Sequence, residues 1–407
     1  MNWEIQLSKR SEIDRRTFLG MGLGAAALPI LGFTGGAGAL TAERRVRLRA
    51  LGIVIGDLQP GEHNAITDVV GVKVGHVTLI KGEGPLVEGE GPVRTGVTAI
   101  LPHGGDLSRS PVFAADFTLN GNGELTGMGA VRRTGLLGAP VFFTNTSSVG
   151  AVYDGAMGWM LEQNPDLFKG GLHPEPAVGE TWAKFLHDTT GRHVRPEHAV
   201  EAINAASGGP VAEGCVGGGT GMRAYGFKAG IGSASRKVPC GDQVYTVGTL
   251  VQANFGRRPQ LRVDGVPVGR EITDLMEERG GKTKSMLAVV ATDAPLIPSQ
   301  LRRVCKRVAL GMARTGAIST PGSGDLVLAF TNGNRLQADE TPAAHSVGML
   351  TDRCLSSLYK GVVEATEEAI LNSLTMADTM VGRDGNTIHA LPLYRLVEVM
   401  RAHGRLK

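Results

Sequence analysis

Ser285-Met-Leu-Ala-Val-Val-Ala-Thr-Asp-Ala-Pro-Leu-Ile-Pro (285–298) and Ser323-Gly-Asp-Leu-Val-Leu-Ala-Phe (323–330) bound the stretch whose reading decides the fold. Met286–Ala291 is a continuous apolar run of buried-strand length, stopped by Pro295 and Pro298. Ser299 then reads as the N-cap of a helix through about Ala313. Its Leu301, Val304, Cys305, Val308 and Met312 recur at i, i+3, i+4 spacing on one face. A Gly/Pro/Ser turn over Gly316–Gly324 leads into Leu326–Phe330, a second buried strand. Strand, helix, strand implies a parallel pair joined by a right-handed crossover. Parallel strands begin at the same sheet edge, so Ser285 is expected close to Ser323 and Asp325. Their spacing of two points the latter pair to one side.

Working outward, Glu277–Lys284 is polar and glycine-bearing, which reads as an exposed loop running straight into the first strand. The wider segment Arg257–Lys284 and the Gly/Glu-rich Lys81–Gly91 are the expected flexible connections. Glycine numbers 59 of 407 residues, about twice the usual share of roughly 7%. That favours tight turns and close backbone approaches over a helical bundle, where an interior glycine costs about 1 kcal/mol. The run Gly214–Gly232 fits no phosphate loop, because Gly221 and Gly226 are followed by Phe227-Lys228 and not by Lys-Ser/Thr. Tight packing is the better reading of it.

The formal charge is only +3, with no basic cluster interleaved with aromatics, which argues against a nucleic-acid partner. The first 42 residues read as an address. Asp14-Arg15-Arg16-Thr17-Phe18-Leu19-Gly20 resembles a twin-arginine export motif, followed by the apolar Met21–Leu31 and a small-residue exit at Ala37-Gly38-Ala39 or Ala42. Its apolar stretch is short for a span that needs about 20 residues, so a periplasmic protein without a stable membrane anchor is expected. Cys215, Cys240, Cys305 and Cys354 match no zinc spacing and need not pair; burial is the expected role. His187, His193 and His198 carry no HExxH pattern and read as surface or helix-face residues.

A serine hydroxyl needs a base. No GxSxG elbow and no recognisable histidine triad motif is present. The remaining route is an N-terminal residue whose own α-amine, with a pKa of about 7.7–8, takes the hydroxyl proton. Ser285 reaches that state only if the Lys284–Ser285 bond is cut.

The motif at Ser285 resembles the start of the small subunit in the L-aminopeptidase/D-esterase family, which includes the β-peptidyl aminopeptidases. The likeness extends over Asn64–Val69, Gly91–Ile100, Leu119–Gly127, Thr144–Thr146, Gly217–Met222, Lys228–Arg236, Val251–Gly256 and Ser323–Asp325, in that order. It implies an α+β, four-layer αββα sandwich shared with ornithine acetyltransferases. It further implies self-cleavage into a large segment 43–284 and a small segment 285–407 forming one catalytic domain, a homo-oligomer (tetramer expected), and no metal or organic cofactor. The expected substrates are small peptides, amino-acid amides or esters with L-, D- or β-amino-acyl termini. By the same resemblance, Ser285 is the nucleophile, Ser323 and Asp325 tune its amine and hydroxyl, and Asn254 contributes to the oxyanion hole. Glu180 pairs with the substrate amine, and Trp182 stands where relatives have an active-site tyrosine.

The chain departs from the family pattern at Lys284, where glycine is commoner, at Trp182, at Asp325, where glutamate is frequent, and at Arg132 and Arg133, where acidic residues are expected. The alternative reading is an unprocessed, non-catalytic binding protein of the cell envelope on the same fold. Ornithine-acetyltransferase chemistry would need a threonine nucleophile, and Thr283 lies two residues too early to begin the strand.

Overall fold

A computed structural model describes residues 43–169, 173–275, 284–336 and 344–406. The twin-arginine segment and residues 277–283 of the expected loop lie outside the described residues. Glu43–Lys407 forms one compact unit.

In chain order, strands β1 (Lys73–Lys81), β2 (Val93–Leu101) and β3 (Val112–Gly121) precede the short helix α1 (Met128–Thr134). Then come β4 (Leu136–Leu137), β5 (Val141–Asn145), α2 (Val149–Gln163), β6 (Ala177–Thr181) and α3 (Pro196–Asn204). The glycine-rich region carries the small hairpin β7 (Arg223–Ala224) and β8 (Phe227–Lys228), and two long strands follow, β9 (Ile231–Cys240) and β10 (Gln243–Phe255). The last part holds α4 (Val268–Glu271), β11 (Lys284–Thr292), α5 (Pro298–Arg314), β12 (Gly324–Arg335) and the long α6 (Asp352–Thr375).

Two large sheets result: β1-β2-β5-β6, and β4-β3-β12-β11-β10-β9. Alternation along β11 explains the layering. Leu287, Val289 and Ala291 join Leu250, Leu328 and Phe330 against Ile100, Val141 and Phe143 of the smaller sheet. Met286, Ala288 and Val290 face the other way, into the core made with α5 and α6. A third cluster packs Val97, Ala99 and Phe142 against Val152, Ala156, Ala199 and Ala202 of α2 and α3. Helix, sheet, sheet, helix is the expected αββα sandwich.

The parallel β11–β12 pair connected by α5 is present, with Ser285 opposite Gly324. The start of α5 differs from expectation. Pro298 is its first residue and Ile297 its N-cap, in place of Ser299. Proline suits the first helical position because it has no N–H to leave orphaned, and it holds the preceding residue extended.

Two further expectations fail. Arg257–Leu275 is ordered around the buried Arg258, whose guanidinium donates to the carbonyls of Tyr225, Gly226, Ile272, Asp274 and Leu275 and lies 3.3 Å over the Phe227 ring. The connection Lys81–Gly91 is exposed yet pinned, with Leu86 N–H donating to Asp384 and Gly89 N–H to Asp188. Of the cysteines, Cys305 is buried as expected, whereas Cys240 and Cys354 are joined in a disulfide. The glycine run does serve close packing: a Cβ on Gly218 would lie 2.3 Å from Gln252 Oε1 and 2.5 Å from the Phe143 carbonyl. No described helix is long and apolar enough to cross a membrane.

Candidate active site

Ser285 is the second residue of β11, in the middle of the larger sheet, flanked by Asn254 of β10 and Gly324 of β12. By the pleat its side chain falls on the face of Leu287, toward the smaller sheet. Asn254 is its direct cross-strand partner and shares that face. Ser285 is 7% exposed.

The Asn254 amide is fixed at both ends. Its Oδ1 accepts from Arg223 N–H at 3.2 Å, and its Nδ2 donates to the Trp182 carbonyl at 3.1 Å. An amide nitrogen carries two N–H groups. One of them is directed at the Trp182 carbonyl. Trp182 is 51% exposed, and its contact with Asn254 is made by its main-chain carbonyl.

Ser323 and Asp325 share a side, as their spacing predicts: Ser323 Oγ donates to Asp325 Oδ1 at 2.8 Å. Ser319 donates to the other carboxylate oxygen. Asp325 is the register partner of Met286, the residue after Ser285. Burial raises the Asp325 pKa, and the hydrogen bonds from Ser319 and Ser323 oppose that rise.

Glu180 approaches from the other sheet. Residues Glu124–Thr126 bind along β6: Glu180 N–H donates to the Glu124 carbonyl, and Thr126 N–H to Val178. The Glu180 carboxylate accepts from Glu124 N–H at 3.3 Å and from the Thr146 hydroxyl. A Cβ on Gly123 would sit 3.0 Å from Glu180 Oε1 and 3.5 Å from Gly324 Cα, so the carboxylate stands beside the register neighbour of Ser285. Burial raises the Glu180 pKa, with the hydrogen bonds from Thr146 and Glu124 offsetting part of it. Such a carboxylate gains most from a cationic partner.

The structure places Ser285 and Asn254 on the inter-sheet face of the larger sheet and Glu180 beside Gly123, next to Gly324, while Ser323 and Asp325 sit with Ser319 on the α5-facing side of the same strand ends. It adds Ser319, Thr146 and Gly123, which sequence reasoning passed over. Ser319 sits in a stretch read only as a turn, and Thr146 in a motif quoted without a role. Arg132 makes a bidentate contact with Asp116 across the groove lined by Gly123 and Leu326, so one of the two unexpected arginines is already paired.

His187 and His193 have partners of their own. His187, expected at the surface, is fully buried and accepts from Arg94 N–H; burial lowers its pKa to about 4. His193 pairs with Asp188 at 2.8 Å. Among the described residues no group of three or more His, Cys, Asp or Glu side chains could hold a metal ion.

A serine near the head of a central strand with an asparagine beside it fits a hydrolase of the serine-aminopeptidase type. Peptidase family S58 matches residues 64–388. The chain belongs to that family. It is 46% identical over 384 residues to the β-peptidyl aminopeptidase BapA of Sphingosinicella microcystinivorans, covering 91% of this chain and 95% of that one. The PH0078 protein of Pyrococcus horikoshii OT3 superposes with a TM-score of 0.85 at 47% identity, over 89% of this chain and 100% of that one. The L-aminopeptidase D-Ala-esterase/amidase of Ochrobactrum anthropi, described as a variant of the Ntn hydrolase fold, gives 0.83 at 38% identity, over 89% and 99%.

Proposed function

We propose that the chain cuts itself between Lys284 and Ser285 and then releases N-terminal residues from small peptides, amides or esters. The observation that carries this reading is the placement of Ser285 near the start of β11, between Asn254 and Gly324 and across from Glu180. Once freed, the Ser285 α-amine accepts the proton of its own hydroxyl as that hydroxyl attacks the substrate carbonyl. Ser323 and Asp325 orient the amine. The Asn254 amide meets the oxyanion, and Glu180 holds the substrate ammonium. Water then releases the acyl group, or a second amine takes it in acyl transfer. The name of the relative at 46% identity supports a β-amino-acyl terminus among the accepted substrates.

Export by the twin-arginine route belongs to the same reading, supported by Arg15-Arg16 and by a disulfide suited to an oxidising compartment. So does the homo-oligomer implied by the family resemblance, which sedimentation measures.

Ser285→Ala tests the proposal. The variant is expected to remain one uncut chain and to hydrolyse neither amino-acid p-nitroanilides nor amino-acid esters. Normal cleavage in that variant would overturn it.

A further inference from the structure

Cys240 closes β9 at the tip of the β9–β10 hairpin, and Cys354 lies in the first turn of α6. Their Cα atoms are 5.2 Å apart, within the range a disulfide spans, and the bond is formed. The pair is separated by 114 residues, and Lys284–Ser285 falls between them. We propose that Cys240–Cys354 is an interchain bond: after cleavage it joins the large segment to the small one covalently. This rests on the cleavage reading above.

The other two cysteines do not compete for either partner. Cys305 is sealed in the core, its thiol donating to the Ala115 carbonyl at 3.2 Å, and Cys215 faces the Asp378 carbonyl. Cys240 and Cys354 are both only half-buried, open to an oxidant. Formation takes a proton from each thiol and passes two electrons to a protein or small-molecule disulfide, which leaves as two thiols.

The consequence lies in the topology. β11 and β12, from the small segment, occupy the middle of the larger sheet between β3 and β10 of the large one. Neither segment can complete that sheet alone. A cut protein without a link would refold by a bimolecular encounter at whatever concentration the compartment holds. A link makes the encounter intramolecular and independent of dilution.

The test uses the full chain exported into an oxidising compartment, denatured in a thiol-alkylating reagent and weighed intact with and without reductant. The expected result is one species without reductant, one water heavier than the uncut chain and alkylated at two cysteines. Reductant should release two chains, one beginning at Ser285. Two separate chains without reductant, with all four cysteines alkylated, would overturn the proposal. An uncut chain would overturn both the cleavage reading and the link, and its alkylation count would still show whether the thiols pair.

Cys354→Ser supplies the second readout. It should be cut and active as isolated, yet separate without reductant. Its recovery from guanidinium should slow about tenfold on tenfold dilution, while the linked enzyme's rate stays unchanged. Equal slowing of both proteins would contradict the tether.

Discussion

Asn254 is held by two main-chain groups, the Arg223 N–H and the Trp182 carbonyl, and this leaves its amide little freedom to swing. Removing that donor should therefore act on the chemical step. Asn254→Ala is expected to lower kcat by roughly 10²–10³ with a small change in KM, the usual cost of one oxyanion donor. Glu180→Gln should behave differently. Its kcat/KM for substrates with a free amine is expected to fall roughly tenfold to a hundredfold, the range of a charge-assisted hydrogen bond.

The pH profile gives the sign. Burial holds the Glu180 pKa above the ordinary carboxylate value, and only the ionised form pairs with an ammonium. Substrate affinity should thus fade, as pH drops, at a higher pH than an ordinary carboxylate would give, and that acid limb should vanish in Glu180→Gln. A limb unchanged by the substitution would assign it to another group, Asp325 being the next candidate. At this level the sequence was legible wherever chemistry sat in contiguous motifs, as at Ser285 and Ser323–Asp325. It was silent on Ser319 and Thr146, since a hydroxyl in a turn has no periodicity to betray what it faces.

The crossover β11–α5–β12 was readable because a long apolar run has few ways to be satisfied other than in a buried strand, and α5 has one clear apolar face. Its start was misread by giving Ser299 priority over Pro298. The order of Arg257–Leu275 was hidden for a different reason: a lone arginine signals solvent, and nothing local shows that Arg258 meets five carbonyls. The glycines of the paired strands carry a testable demand. A Cβ on Gly232 of β9 would lie 1.9 Å from the Ala369 carbonyl of α6, closer than any real contact. Gly232→Ala should push α6 from the sheet and cost about 1–3 kcal/mol, read as a lower denaturant midpoint with the slope retained.

Across the whole molecule, the two large sheets face each other over an apolar layer. The outer side of the larger sheet is fastened by charge as well as by packing. Arg236, fully buried on β9, donates to Glu364 and Glu368 of α6, and Arg49 reaches Glu368 from the N-terminal side at 2.8 Å. Arg236→Met would leave buried carboxylates short of a partner and is expected to cost about 3–5 kcal/mol in unfolding stability. None of this network was visible in the sequence, because its members are spread from Arg49 to Glu368. The pairing of Cys240 with Cys354 was hidden likewise, since spacing alone cannot state which cysteines meet. The four-layer arrangement itself came from the family resemblance and not from periodicity.

Everything at the site depends on Ser285 becoming a chain terminus. N-terminal sequencing of the purified, reduced protein measures that directly. Two sequences are expected, one of them Ser-Met-Leu-Ala. A single sequence from an intact chain would contradict the mechanism and leave Ser285 without its base.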